Sequence, residues 1–230
     1  MKLAIISGAS KGIGQYLSIK LLEEKFKVVN ISRSKSKNEN VIDYEFDLLK
    51  TNKISDLVKD ITRTHGSPQL LINNAGIASM NHTLLMKDNK IADIVNLNLT
   101  APLILSKEVS KTMIREGGKI INISSVAVPL LLQGEAVYAS SKSGLEIFTK
   151  ILSKELAEVK IEVACLGLTP IFTDLIKNVP KEKIDNIINQ QPIKKTYTEI
   201  DIWEFLNNYI NDKKQKFNGT VNYLGGFVDK

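Results

Sequence analysis

Cysteine is nearly absent from this 230-residue chain: Cys165 is the only one. It cannot close an internal disulfide, and it lies in the apolar run 161–166, so it reads as a small buried residue rather than a nucleophile. Histidine is almost as scarce. His65 and His82 have no cysteine or further histidine near them in sequence, so no metal site is expected. No apolar run approaches the roughly 20 residues that span a bilayer. The opening Met1-Lys2-Leu3-Ala4-Ile5-Ile6-Ser7-Gly8 is broken too soon for a secretory signal. The expectation is a cytoplasmic protein without membrane association. Aromatics are few and glycine is ordinary in number, which argues against a fibrous or disordered chain. The net charge of +6 comes mainly from lysines interspersed with acidic residues. That pattern reads as solvated helix faces, and without a basic stripe or a recognised motif no nucleic-acid partner is expected.

What is present is alternation. Short apolar runs at 3–6, 28–31, 41–46, 70–72, 119–123, 161–166 and 221–224 read as strands. Amphipathic stretches lie between them, with Ile13, Leu17 and Leu21 on one face, then Ile54, Leu57, Val58 and Ile61. Longer helices are predicted over about 90–115 and 136–159, and another over 200–210. Residues 168–196, with Pro170, Pro180 and Pro192, show weaker periodicity. Repeated strand–helix alternation calls for an α/β fold: a single doubly wound parallel sheet of about seven strands with helices on both faces. No linker or repeat is visible, so one domain over 1–230 is the simplest organisation.

Three local patterns carry chemistry. The first strand enters a helix through Gly8, Gly12 and Gly14. Glycine lets backbone approach a pyrophosphate, and a helix N-terminus supplies free N–H groups. The spacing G-x-x-x-G-x-G also serves purely structural turns. Tyr138 and Lys142, four apart, share one helix face. An ammonium beside a phenol should lower its pKa and make Tyr138 a usable acid/base, although Y-x-x-x-K also occurs by chance. Ser125, thirteen residues before Tyr138, ends a strand on the side where parallel sheets bind ligands. Pro102 has no N–H and leaves the carbonyl of Asn98 without its helical partner. That carbonyl could hold a water, or the proline could be a tolerated kink.

Taken in order, Ser7-Gly8-Ala9-Ser10-Lys11-Gly12-Ile13-Gly14, Asp47, Asn73-Asn74-Ala75-Gly76, Asn98, Ser125 and Tyr138-Ala139-Ser140-Ser141-Lys142 resemble the short-chain dehydrogenase/reductase family over essentially the whole length. The resemblance implies a Rossmann-like sheet with a dinucleotide across its C-terminal edge. It implies a catalytic tetrad in which Tyr138 is the acid/base, Lys142 lowers its pKa and holds the nicotinamide ribose, Ser125 orients the substrate oxygen, and Asn98 keeps a water in the proton relay. The cofactor contacts it implies are Gly8, Ser10, Lys11, Gly12, Ile13 and Gly14 in the first turn, then Arg33, Asp47 and Leu48. Asn74, Ala75 and Gly76 follow, with Tyr138, Lys142, Ile171 and Thr173. In style the chain is similar to bacterial 3-oxoacyl-[acyl-carrier-protein] reductases.

Some positions depart from the family pattern. Leu168-Thr169 stands where Pro-Gly is usual, with a proline following at Pro170. Thirteen residues separate Arg33 from Asp47, too few for the usual helix, so 34–40 is expected to be a loop. Ser7 replaces a threonine. Enzymes that use NAD place a carboxylate at the end of the second strand. Here Ser32 and Arg33 stand there and Lys11 precedes Gly12, which suits the 2′-phosphate of NADP(H).

The leading expectation is an NADP(H)-dependent oxidoreductase acting on a small-molecule carbonyl or alcohol substrate. An anionic or acyl-carrier-protein-bound one fits the net basic segment 168–196, expected to act as a lid. An epimerase or dehydratase on a nucleotide sugar and a non-catalytic NADP-binding regulator are the alternatives. Assembly into a homodimer or homotetramer is expected, with Ile147 and Ile151 on the outer face of a long helix.

Overall fold

A computed structural model describes residues 1–172 and 179–227. Seven strands, β1 (Leu3–Ser7), β2 (Lys27–Ser32), β3 (Val41–Glu45), β4 (Leu70–Asn73), β5 (Gly118–Ser125), β6 (Ile161–Leu168) and β7 (Val221–Tyr223), pair in parallel in the order β3-β2-β1-β4-β5-β6-β7. β1 and β6 are buried along their whole length, as a parallel strand covered on both faces must be.

The period of two divides β1 between two cores. Ala4 and Ile6 face a layer containing Leu17 and Leu21 of α1 (Gly12–Glu23) and Ile202, Leu206 and Tyr209 of α7 (Glu199–Asn211). Leu3 and Ile5 face the opposite layer, with Val58 and Ile61 of α2 (Ile54–His65), Leu105 and Val109 of α4 (Ala101–Met113), and Leu152 of α5 (Ala136–Glu155). Each of the Leu, Ile and Val side chains among these contributes about 1.5–3 kcal/mol by leaving water. A buried polar chain ties the sheet to the second layer: Asn73 donates to Ser106 Oγ at 2.9 Å and to Asn122 Oδ1 at 2.7 Å, and Asn122 donates to Thr149 Oγ1 at 2.8 Å.

The strand order reverses between β1 and β4. Connections leave in opposite directions there and open a crevice at the carboxyl ends of the strands. The short crossover 34–40 is a loop, as the residue count requires. Asp43 organises it: Oδ1 accepts from Ser36 N–H at 2.9 Å and from Asn30 Nδ2 at 2.8 Å, and Asn30 Oδ1 in turn accepts from Ala9 N–H at 2.8 Å.

Two sequence expectations need correction. The stretch 90–115 is not one regular helix. It comprises α3 (Asp88–Val95), a wide π-type turn at Asn96–Thr100, and α4. Pro102 sits at the start of α4 and lacks the N–H that a continuous α-helix needs, so the helix widens just before it. Of the stretch 168–196, the described part from 179 on is more ordered than its periodicity suggests, because α6 (Lys181–Gln190) lies within it. Pro180 is that helix's N-cap, where a missing N–H does no harm, and Ile184 is buried. Smaller differences are the extension of β5 to Ser125 and the end of α5 at Glu155, before a left-handed Lys160 (φ 56°).

Candidate active site

The crevice at the switch point is a cleft of about 870 Å³. Its floor at one end is the turn between β1 and α1. Gly8 there has φ +76°, and a Cβ on Gly14 would lie 2.2 Å from the carbonyl oxygen of Gly8 and 2.6 Å from Asn74 Nδ2. Only glycine fits that approach. The turn is locked to the end of β4: Asn74 Nδ2 donates to the carbonyls of Ser7 and Gly8 at 3.0 and 3.1 Å, and Ser7 Oγ accepts from the N–H groups of Asn74 and Ala75 at 3.0 Å each. The hydroxyl at position 7 therefore has a structural duty, which Ser7 discharges as a threonine would.

The first turn of α1 carries no carboxylate, and no side chain caps its N-terminus. Its N–H groups and positive dipole end are available to a phosphate. Ser10, Lys11, Gly12 and Ile13 line this end of the cleft. Arg33 lies past the end of β2, Asp47 and Leu48 past the end of β3, and Ala75 and Gly76 past β4, all on the cleft wall. Among these, Asp47 Oδ1 is engaged locally, accepting from Leu49 N–H at 3.1 Å. Backbone cradle, open helix terminus and flanking cations fit a dinucleotide.

At the other end β5 delivers Ser125 and α5 delivers Tyr138 and Lys142. The Ser125 hydroxyl lies near enough to the Tyr138 phenol to act on it. Lys142 Nζ donates to the carbonyl of Ile123 at 2.7 Å and lies 5.9 Å from the centre of the Tyr138 ring. This overturns the expectation of a lowered phenol pKa in the chain by itself. Burial pushes Tyr138 up to about 12, outweighing the lowering by Ser125, and the nearby Glu135 carboxyl adds to the rise. Burial also brings the Lys142 ammonium down to about 8.

Asn98 is fully buried in the π turn, outside the cleft lining. Its side chain exchanges two hydrogen bonds with the backbone of Ile77 and donates to Ser141 Oγ at 3.2 Å, while Ser141 Oγ donates to the carbonyl of Tyr138 at 2.7 Å. It thus braces both the loop after β4 and the turn of α5 that bears Tyr138. Ile171 follows β6 on the cleft wall; Thr173 lies outside the described residues. Thr169 lines the cleft too, and its buried hydroxyl has no hydrogen-bond partner. Val179, Ile184 and Ile187, on and just before α6, close the apolar side.

Sequence reasoning missed Glu135. It lines the cleft three residues before Tyr138, is 5% exposed, and its Oε2 has no hydrogen-bond partner. Glu135 stands just before α5 as its N-cap residue, outside the helical spacing that pointed to Tyr138 and Lys142. Among the described residues there is no cluster of His, Cys, Asp and Glu suited to a metal, and no helix long and apolar enough to cross a membrane.

A glycine cradle at a switch point with Ser, Tyr and Lys at its far end defines a Rossmann-like dinucleotide oxidoreductase. The family model described as short chain dehydrogenase matches residues 2–184, and the chain belongs to that family. It is 28% identical to the 3-oxoacyl-[acyl-carrier-protein] reductase of Staphylococcus epidermidis, with 98% of each chain covered. It is 30% identical to the protein of that name from Buchnera aphidicola, over 98% of this chain and 96% of that one. Among solved structures, a 4-hydroxyisoleucine dehydrogenase complexed with NADH superposes with TM-score 0.89 at 27% identity, covering 99% of both chains. A 3-ketoacyl-(acyl-carrier-protein) reductase from Brucella melitensis, with TM-score 0.88 at 21% identity over 98% of this chain and 97% of that one, shares the fold.

Proposed function

We propose that the chain is an NADP(H)-dependent oxidoreductase that moves a hydride between nicotinamide and a carbonyl or secondary-alcohol carbon. The observation that carries this is the convergence of Ser125, Tyr138 and Lys142 on the same cleft as the glycine turn. The nicotinamide, when bound, supplies or accepts the hydride. In the reductive direction Ser125 holds the substrate oxygen, and Tyr138 delivers the proton that balances the hydride taken up at carbon. Lys142 holds positive charge beside the phenol and would hold the ribose. Asn98 acts as a positioning residue.

NADP(H) is the cofactor favoured by Lys11 and Arg33 together with the absence of a carboxylate at Ser32. An acyl-carrier-protein-bound 3-oxoacyl thioester is the substrate class suggested by the relatives' names. In this reading residues 1–230 form one domain, and α6 with Val179 before it covers the nicotinamide end, which their place on the cleft wall supports; the rest of the expected lid, 173–178, lies outside the described residues. Assembly as a homodimer or homotetramer is supported by Ile147 and Ile151 on α5, 53% and 51% exposed, and is checked by light scattering.

The test of the chemistry is NADPH consumption across acetoacetyl thioesters, keto-sugars, quinones and small ketones, in wild type and Tyr138→Phe. The variant should bind NADPH and lose at least about 10² in turnover, the usual share of general acid catalysis. Near-normal turnover would remove Tyr138 from the mechanism.

A further inference from the structure

The substrate end of the cleft contains two buried polar atoms that the protein leaves unsatisfied. Glu135 Oε2 and Thr169 Oγ1 belong to residues 5% exposed, both line the cleft, and neither atom has a hydrogen-bond partner. Buried polar groups are paired in the great majority of cases, and an orphan calls for an explanation. The backbone of Glu135 is fully used: its N–H donates to the Leu132 carbonyl at 3.1 Å, and its own carbonyl accepts from Ala139 N–H at 2.7 Å. The side chain is thereby held rigidly at the start of α5. Burial pushes its carboxyl up to about 7, and the cation acting on it is the exposed Lys183 of α6. No salt bridge joins the two among those within 4.0 Å, and Leu132, Ile184 and Ile187 give this part of the wall its apolar character.

We infer that Glu135 is a specificity-determining residue: its carboxylate side accepts a hydrogen bond from a hydroxyl or ammonium group carried by the substrate close to the reacting carbonyl. Glu135 is the N-cap residue of α5 and lies close enough to Tyr138 for its charge to act on the phenol. A carbonyl oxygen at Tyr138 therefore leaves a substituent on the neighbouring carbon within reach of Glu135. An apolar substituent in that place would leave the buried carboxyl unpaired, and sites with buried polar groups discriminate strongly against analogues lacking the matching group.

This inference rests on the carbonyl-reductase reading and replaces the 3-oxoacyl thioester as substrate class, since that thioester carries no hydroxyl or ammonium beside its ketone. The probes are butanone, hydroxyacetone and aminoacetone, alike in size, whose α-carbon carries methyl, hydroxyl or ammonium; the inductive effect of that group on the carbonyl is common to wild type and variant and cancels in their comparison. Wild type should favour at least one of the two donor-bearing ketones over butanone by tenfold or more in kcat/KM with NADPH. Glu135→Leu should lower that ratio at least fivefold; the ratio is read rather than either rate, because Glu135 also acts on the Tyr138 phenol. The hydroxyl and ammonium arms tell which donor the site takes. An unchanged ratio in Glu135→Leu, or no preference in wild type, overturns the inference.

If Glu135→Leu does not fold, as judged by melting and NADPH binding, Glu135→Gln takes its place. It keeps the shape and a hydrogen-bonding oxygen, so it should retain the hydroxyl preference in part and lose the ammonium preference. If no probe is reduced, the reading of the reaction stands or falls on the wider NADPH-consumption panel. Binding of propanediol, aminopropanol and butanol to the cofactor-loaded protein by calorimetry then decides the role of Glu135, with equal affinities counting against it.

Discussion

Asn98 and Ile77 hold each other by a reciprocal pair of hydrogen bonds: Ile77 N–H donates to Asn98 Oδ1 at 2.9 Å, and Asn98 Nδ2 donates to the Ile77 carbonyl at 2.8 Å. The side-chain amide mimics one rung of a strand pairing and fixes the loop that leaves β4. That loop borders the cleft through Gly76, Ile77 and Ala78. Removing the amide leaves two backbone groups without partners, at about 1–3 kcal/mol for each that becomes buried and unsatisfied. Asn98→Ala is expected to lower stability by about 2–4 kcal/mol in urea titration and to weaken turnover more than cofactor binding. Asn98→Asp keeps the acceptor and loses the donor, so it should also destabilise. Native stability in both variants would show that the pair does not brace the loop.

The glycine turn gives a sharper test of cofactor placement. A methyl at position 14 would meet the carbonyl of Gly8 at 2.2 Å, a contact that only movement of the turn can relieve. Gly14→Ala should therefore weaken nicotinamide-dinucleotide binding by at least about tenfold, or about 1.4 kcal/mol, with the sheet still folded by circular dichroism. Unchanged affinity would place the pyrophosphate elsewhere.

Cofactor choice turns on Arg33, which is exposed at the cleft edge beyond β2. A charge-assisted contact to a 2′-phosphate contributes about 1.5–3 kcal/mol. Arg33→Ala is expected to raise the NADPH dissociation constant by roughly one to two decades and to leave that of NADH nearly unchanged. A wild type that prefers NADH in a binding titration would sink the assignment of Lys11 and Arg33 to that phosphate.

The parts legible in sequence were those set by local physics. β1, β2 and β6 read as strands because a parallel strand buried on both faces is a continuous apolar run. The glycine turn and the Tyr138–Lys142 pair were each ambiguous by spacing and became legible through their joint order with Asn74, Asn98 and Ser125. What escaped depended on tertiary neighbours. α6 has a narrow apolar stripe, Ile184, Ile187 and Ile188, among lysines and flanking prolines, and its packing against the cleft supplies what its periodicity does not. The division at Asn96–Thr100 was foreshadowed by Pro102, but a widened turn and a simple kink are indistinguishable without the coordinates. The phenol of Tyr138 was misjudged because spacing shows that Lys142 shares its face and does not show that the ammonium is spent on the Ile123 carbonyl. Glu135 was passed over because a glutamate just before a helix usually reads as a solvated, dipole-favouring residue.

That buried glutamate makes the stability of the cofactor-free protein depend on pH with a definite sign. Burial raises the folded-state pKa of Glu135 from an ordinary 4.5 to about 7. A carboxyl raised in this way favours the folded state while it is protonated. Its contribution is fully present below the unfolded value and is lost as pH rises through the folded one. The shift would correspond to about 3 kcal/mol at most, and the opening of the cleft to water reduces that to about 1–3 kcal/mol. Glu135→Gln has similar shape and no charge to desolvate. It should match wild type below about pH 4.5 and become progressively more stable than wild type up to about pH 8. In a domain of this size, about 1 kcal/mol moves the melting temperature by about 2–4 °C. The difference in melting temperature between variant and wild type should thus open by several degrees across that range. Lys183 opposes the effect by favouring the carboxylate, so Lys183→Gln should widen the gap between Glu135 and its amide rather than narrow it. A melting difference that stays constant from acid to alkaline pH would mean that the carboxyl finds water or a partner when ionised. The unsatisfied oxygen would then have no energetic consequence.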